Sequence, residues 1–251
     1  MEGKTDGLGK PVISFVIPTL QEESVLEGTL EALRVLSSVA YEIIVSDGHS
    51  TDRTLEIARH AADRVVEHDG KIRQNIAMGR NAGAAVARGE FMVFMDADVR
   101  FVDINRLFTE AVRSFRGQPD LVALSGISRV FPGMETFADR VVFGLCNALF
   151  VFRNNVLHSG GVSGEFQMVR SETFHAIGGY DEKLFAAEDL DLFGRLSKRG
   201  RTRVERSFRF LHTGRRAHRM GWPRLLLRWG KDFIHYSLLH RSYSQEWEVI
   251  R

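Results

Sequence analysis

Apolar and polar positions fall into two alternating kinds of block over the first hundred residues. Val12-Ile-Ser-Phe-Val-Ile-Pro18 is a short apolar run closed by proline, the pattern of a buried strand. From Ser24 to Ser37, Val25, Leu30, Leu33 and Leu36 recur at roughly helical spacing. Tyr41–Ser46 predicts a second strand, stopped at Asp47-Gly48, and Ser50 or Thr51 can cap a helix carrying Leu55, Ile57 and Ala58. Arg64–Glu67 predicts a third strand, Ile72–Arg88 an Ala-rich helix, and Glu90–Met95 the most apolar strand, which runs into Asp96-Ala-Asp98. Strands alternating with helices predict βαβ units, hence an α/β chain with a mainly parallel sheet covered on both faces.

The second half is less regular. Strands are expected at Leu121–Ser128, Glu165–Arg170 and Phe208–Leu211, and helices at Phe137–Phe152, Ser171–Ile177 and Ala187–Arg199. A last amphipathic helix follows Trp222-Pro223, mixing leucines and aromatics with Arg224, Arg228 and Lys231. The expected organisation is a loose start over 1–10, a catalytic domain over 11–210 with halves 11–100 and 101–210, and a basic helical extension over 211–251.

Composition narrows the class. The 251 residues hold a single cysteine, Cys146, which excludes an internal disulfide and any site built on several thiolates. Set in an apolar run, it is expected to be a buried, inert thiol. No apolar stretch reaches the ~18 to 20 residues of a membrane span, and residues 1–10 contain no apolar signal core, so the expected address is cytoplasmic. The net charge of +2 hides an asymmetry, because residues 199–251 carry 13 Lys/Arg against 4 Asp/Glu. That excess suggests either an anionic partner or a solvated basic face.

Ligands of open parallel sheets bind beyond the carboxyl ends of the strands. Asp47, Asp96 and Asp98 are placed there by the pattern, and two carboxylates spaced i and i+2 can hold a divalent cation and through it a diphosphate. Read alone, each serves equally as a turn former or helix cap.

In order along the chain stand Val16-Ile-Pro-Thr-Leu-Gln-Glu-Glu23, Ile43-Ile-Val-Ser-Asp-Gly-His-Ser-Thr-Asp-Arg-Thr54, Gly79-Arg-Asn-Ala-Gly83 and Arg88-Gly-Glu-Phe-Met-Val-Phe-Met-Asp-Ala-Asp98. Gly178-Gly-Tyr-Asp-Glu182 and Glu188-Asp-Leu-Asp191 follow. Together, over about residues 12 to 200, they resemble the family 2 glycosyltransferases, which have the GT-A fold. One departure is Gly48, where the commoner pattern has a second Asp.

The resemblance implies an inverting transferase using a UDP- or GDP-linked sugar and Mg²⁺ or Mn²⁺. Pro18, Thr19 and Glu22 would line the nucleoside pocket, Asp47 would accept from the base, and Arg80 would reach a donor phosphate. Asp96 would face the ribose or the metal's water shell, and Asp98 would ligate the metal, with His212 closing its shell. Asp189 is the expected base, supported by Glu188 and Asp191, and the helix dipole at their position is expected to keep it ionised. Arg215 and Arg216 suit bidentate contact with a donor or acceptor phosphate; the alternative is a solvated basic loop.

Two segments, Phe137–Phe152 and the C-terminal helix, carry more apolar surface than one amphipathic face needs. They are expected to rest on a membrane surface, on the inner face, with a polyprenyl-phosphate or glycolipid acceptor. The alternative is packing against each other or in a homodimer. Two other readings fit less well. Nucleotidyl transfer needs a Gly-rich basic loop after the first strand, where this chain has the acidic Glu22 and Glu23. Nucleic-acid binding is not expected, since it has no use for the paired acids and the tail carries no reading motif.

Overall fold

In the computed structural model, residues 9–244 are described. β1 (Ile13–Thr19), β2 (Tyr41–Asp47), β3 (Arg64–Glu67) and β4 (Phe91–Met95) pair in parallel in the order β3-β2-β1-β4. They lie within one residue or two of the apolar runs that predict them. β7 (Phe166–Arg170) joins β4 antiparallel, followed across the sheet by β6 (Leu121–Val130), β8 (Arg201–His212) and β5 (Arg100–Phe101). Only β7 and β5 run against the rest, so the sheet is mainly parallel.

Strand alternation sends residues to two cores. Ile13, Phe15, Ile17, Ile43, Val45, Phe91 and Val93 pack on one face against α1 (Leu26–Arg34), α2 (Thr54–Ala61) and α4 (Ile104–Gly117). On the other face Val16, Ile44, Met92 and Phe94 meet α3 (Ile76–Ala85), α6 (Ser171–Ala176) and α7 (Glu188–Leu196). The expected two-faced α/β layering is present.

Three features depart from the sequence reading. Between β4 and β6 it places no element, and the structure has β5 and α4, the latter burying Ile104, Leu107, Phe108, Ala111, Val112 and Phe115. β8 begins seven residues before the expected strand. A short α8 (Arg215–Met220) precedes the expected last helix, α9 (Trp222–Leu239).

The long α5 (Phe137–Asn155) carries the anchor for these C-terminal helices. Its Asp139, fully buried, completes a capping box with Thr136, lies 2.8 Å from His218 Nε2 and accepts from Trp222 Nε1 at 2.9 Å. Burial alone raises a carboxyl, but here the hydrogen bonds from His218, Thr136 and Trp222 more than reverse it, holding Asp139 below the usual range. The far end of α9 is tied by Tyr236, whose hydroxyl donates to Asp191 at 3.0 Å. α9 therefore spans from α5 to α7. No described helix is long and apolar enough to cross a membrane.

Candidate active site

A cavity of about 500 Å³ opens beyond the carboxyl ends of β1 and β4. It is lined by Pro18, Thr19, Glu22, Gly48, Arg80, Asp96 and Asp98 from the first half of the chain, and by Glu188, Asp189, His212, Arg215 and Arg216 from the second. Strand ends and loops deliver most of these groups, the usual solution for an open parallel sheet.

Arg80 holds the two sets together. Its side chain, 1% exposed on α3, donates to Asp96 Oδ1 at 3.2 Å, to Glu188 Oε1 at 2.9 Å and to the Gly164 carbonyl at 2.9 Å. Tyr180 stacks over the guanidinium at 5.2 Å. Carboxylates thus take most of the guanidinium's hydrogen-bonding capacity, while its buried Nε has no partner. Its neighbour Asp96 keeps 32% of its side chain exposed, and burial pushes its carboxyl up to about 6 against the opposing pull of Arg80.

Asp189 sits at the N-terminal turn of α7, partly exposed on the cavity wall. Its pKa is raised well above 3.8, first by burial and next by the charge of Glu188. The dipole was expected to hold it low. A helix terminus contributes about 0.3–1 kcal/mol, less than a pK unit, and loses to desolvation beside a second acid. Asp191 faces elsewhere: Arg195 donates to it at 2.7 Å and Tyr236 at 3.0 Å, which ties α9 to α7.

Asp47 is also turned away. It is 1% exposed, accepts from Thr19 Oγ1 at 3.0 Å and from Ser50 Oγ and N at 2.6 and 2.8 Å, and does not line the cavity. In this position it fixes Thr19 and the turn after β2, which brings Gly48 to the cavity wall. Arg215 likewise spends its fork on Glu22, at 2.6 and 2.8 Å, with Asp98 Oδ2 3.6 Å from its Nε. Part of the C-terminal positive charge is therefore neutralised inside the fold.

The residues fit a hard divalent cation on the oxygen side. Thr213 donates to Asp98 through both its backbone N–H and its hydroxyl, and both contacts fall on Oδ2, leaving Oδ1 for a ligand. Among the described residues no three His, Cys, Asp or Glu side chains converge to hold an ion by themselves. One or two carboxylates plus ligand phosphates is how Mg²⁺ is commonly held. His212 fits less well. Gly214 N–H donates to its Nδ1 at 3.1 Å, which puts the proton of a neutral ring on Nε2, a buried atom with no hydrogen-bond partner. Coordination through Nε2 requires that bond to Gly214 to be given up.

Among the wall residues that escaped the sequence reading as site residues are Glu165 and Cys146. Glu165, with a buried and unpartnered Oε2, follows the glycine-rich turn Gly160–Gly164 directly, and that position was the available signal. Cys146 lines the cavity rather than the core, and burial, with Glu165 adding to it, keeps its thiol above the ordinary range.

Comparison with known proteins decides the family. The profile described as Glycosyl transferase family 2 matches residues 14–139, half of the chain. The chain belongs to glycosyl transferase family 2. Among family relatives, the succinoglycan biosynthesis protein ExoA of Rhizobium meliloti (strain 1021) is 32% identical over 197 residues, 74% of this chain and 58% of that protein. Validoxylamine A glucosyltransferase of Streptomyces hygroscopicus subsp. limoneus is 33% identical over 96 residues, covering 36% of this chain and 21% of its own length. The chain thus spans little more than half of ExoA. The mannosyltransferase PcManGT from Pyrobaculum calidifontis, solved with GDP-Man and Mn²⁺, superposes with a TM-score of 0.72 at 19% identity, covering 91% of this chain and 64% of that one. Such likeness shows the fold, which is the GT-A fold expected of family 2.

Proposed function

We propose that this protein is an inverting glycosyltransferase that moves a sugar from a UDP- or GDP-linked donor to a lipid-linked acceptor at a membrane surface. The observation that carries the reading is the single cavity in which Asp96 and Asp98 meet Glu188 and Asp189 across Arg80. Relatives and neighbours support it: PcManGT was solved with GDP-Man and Mn²⁺, and glucosyl-3-phosphoglycerate synthase from Mycobacterium tuberculosis with UDP and Mn²⁺.

Pro18, Thr19 and Gly48 form the wall for the nucleoside. Asp98, with Asp96 nearby, would hold Mg²⁺ or Mn²⁺, whose charge offsets that building on the departing diphosphate. Asp189 acts on the opposite side. Its carboxylate takes the proton of the acceptor hydroxyl as that oxygen bonds to the sugar's anomeric carbon. The bond from that carbon to the diphosphate breaks, and the nucleoside diphosphate leaves with the electron pair. Attack opposite the leaving group inverts the anomeric centre. The raised pKa of Asp189 makes it a stronger base than an ordinary carboxylate. A phosphate acceptor, already ionised, needs no base.

Membrane residence rests on the exposed apolar side chains of α5 and α9, among them Phe137, Leu145, Leu227 and Leu238, beside the exposed Arg219, Arg224 and Lys231. A screen of nucleotide sugars for release of UDP or GDP, with and without Mn²⁺, tests the assignment. Mn²⁺-dependent release from one donor is expected, and no release from any donor at any metal concentration contradicts it.

A further inference from the structure

The half of the cavity beyond Asp189 differs chemically from the acid-lined half. α5 supplies Phe143, Leu149 and Phe150 to its wall, and α9 supplies Leu225, Trp229 and Phe233. Of the polar side chains that these helices add, Asn147 and Asp232 are committed elsewhere. Asn147 exchanges hydrogen bonds with the Ser128 backbone at 3.1 and 2.9 Å, and Asp232 accepts from Ser244 at 2.9 and 3.0 Å. Apart from the Arg153 guanidinium, the Cys146 thiol and the Trp229 indole N–H, the surface these helices leave for a ligand is rings and methyl groups.

This wall reaches the outside at two points. Leu149 is 52% exposed and Phe233 44% exposed while both line the cavity. On α5, Leu149 continues a stripe of exposed apolar residues, Phe137, Val141, Leu145, Phe152 and Val156, at steps of three or four. α9 is pinned at Asp139 and at Asp191, so the groove between the helices is preformed. Arg153 and Arg216 line the same cavity and place cationic groups near its acids.

We propose that this apolar groove between α5 and α9 binds the hydrocarbon chain next to the head of a lipid-linked acceptor, holding that head beside Asp189. The inference rests on the transferase reading and adds a subsite to it. A water-soluble sugar acceptor makes poor use of a wall with so few hydrogen-bonding groups, whereas a chain entering from a bilayer passes Leu149 and Phe233 on its way in. A second copy seated on the stripe would cover the same rim.

Calorimetry with farnesyl phosphate below its micelle concentration tests this, with inorganic phosphate as the chainless control. Saturable binding with a negative heat-capacity change is expected, and phosphate alone should bind far more weakly. Leu149→Ser and Phe233→Ser, both at exposed positions, should each weaken farnesyl phosphate about tenfold. Equal affinities for the two probes, or variants that bind farnesyl phosphate as well as the parent, would overturn the subsite. A salt-stable dimer in light scattering that blocks farnesyl phosphate would overturn it in favour of a second copy. UDP or GDP binding with Mn²⁺, measured on the parent protein, reports separately on the transferase reading.

Discussion

Arg80 donates to Glu188 at 2.9 Å across 108 positions of sequence, joining α3 to the turn that carries Asp189. The same guanidinium reaches Asp96, so one buried cation fixes acids on both sides of the cavity. Arg80→Met strands two carboxylates, a change that costs about 3–5 kcal/mol when a buried pair loses one partner. The melting temperature should fall. Arg80→Lys restores charge but not the fork, so folding should recover further than turnover. Since the charge of Arg80 lowers the pKa of both Asp96 and Asp189, the acid limb of the Arg80→Met pH–rate profile should move to higher pH. An unmoved limb contradicts the role.

Asp189→Asn should keep donor binding and lower turnover with a hydroxyl acceptor by at least ~10²-fold. Its effect on stability has the opposite sign. The folded pKa of Asp189 lies above the unfolded value, so its contribution to stability is complete below the unfolded pKa and is lost as pH rises through the folded pKa. At neutral pH folding either buries an unfavourable charge or must take up a proton, and asparagine removes both costs. Melting curves should show Asp189→Asn above the parent at pH 7, with the gap closing towards pH 4. A variant less stable at pH 7 sinks this account of the carboxyl.

Asp139 makes the reverse case. Its folded pKa is depressed, so the stability it supplies is present above the unfolded pKa and lost as pH falls through the folded one. Asp139→Ala should release α8 and α9 from α5, leaving His218 and Trp222 without their acceptor. Hydrogen exchange should speed up over residues 215–239 while β1, β2 and β4 stay protected. Uniform loss of protection would show that the anchor supports the whole fold instead.

The sheet's parallel half was legible because β1, β2 and β4 are largely apolar runs buried on both faces, while the edge strand β3 shows only its Val65-Val66 pair. β8 was only a third visible. Its inward Thr202, Val204, Phe208 and Phe210 alternate unevenly with arginines, and the pairing register shifts between Ser125 and Ile127. α4 carried a readable period in Leu107, Phe108, Ala111, Val112 and Phe115, but its start is hidden by Asp103, a cap held at φ 52. The acids of the site were legible apart from Glu165 and Asp232, while their pairing was not. Sequence spacing gives no sign that Arg80 and Arg215 would turn inward to carboxylates, since those contacts cross 108 and 193 positions.

The central claim, that the acids after β4 bind a donor diphosphate through a divalent cation, is met most directly by calorimetry of UDP and GDP with Mn²⁺ on the parent and on Asp98→Ala, both shown to be folded. The parent should bind one nucleotide only when Mn²⁺ is present, and Asp98→Ala should lose that metal-dependent binding. Equal affinity in the two proteins, or parent binding indifferent to Mn²⁺, would contradict it.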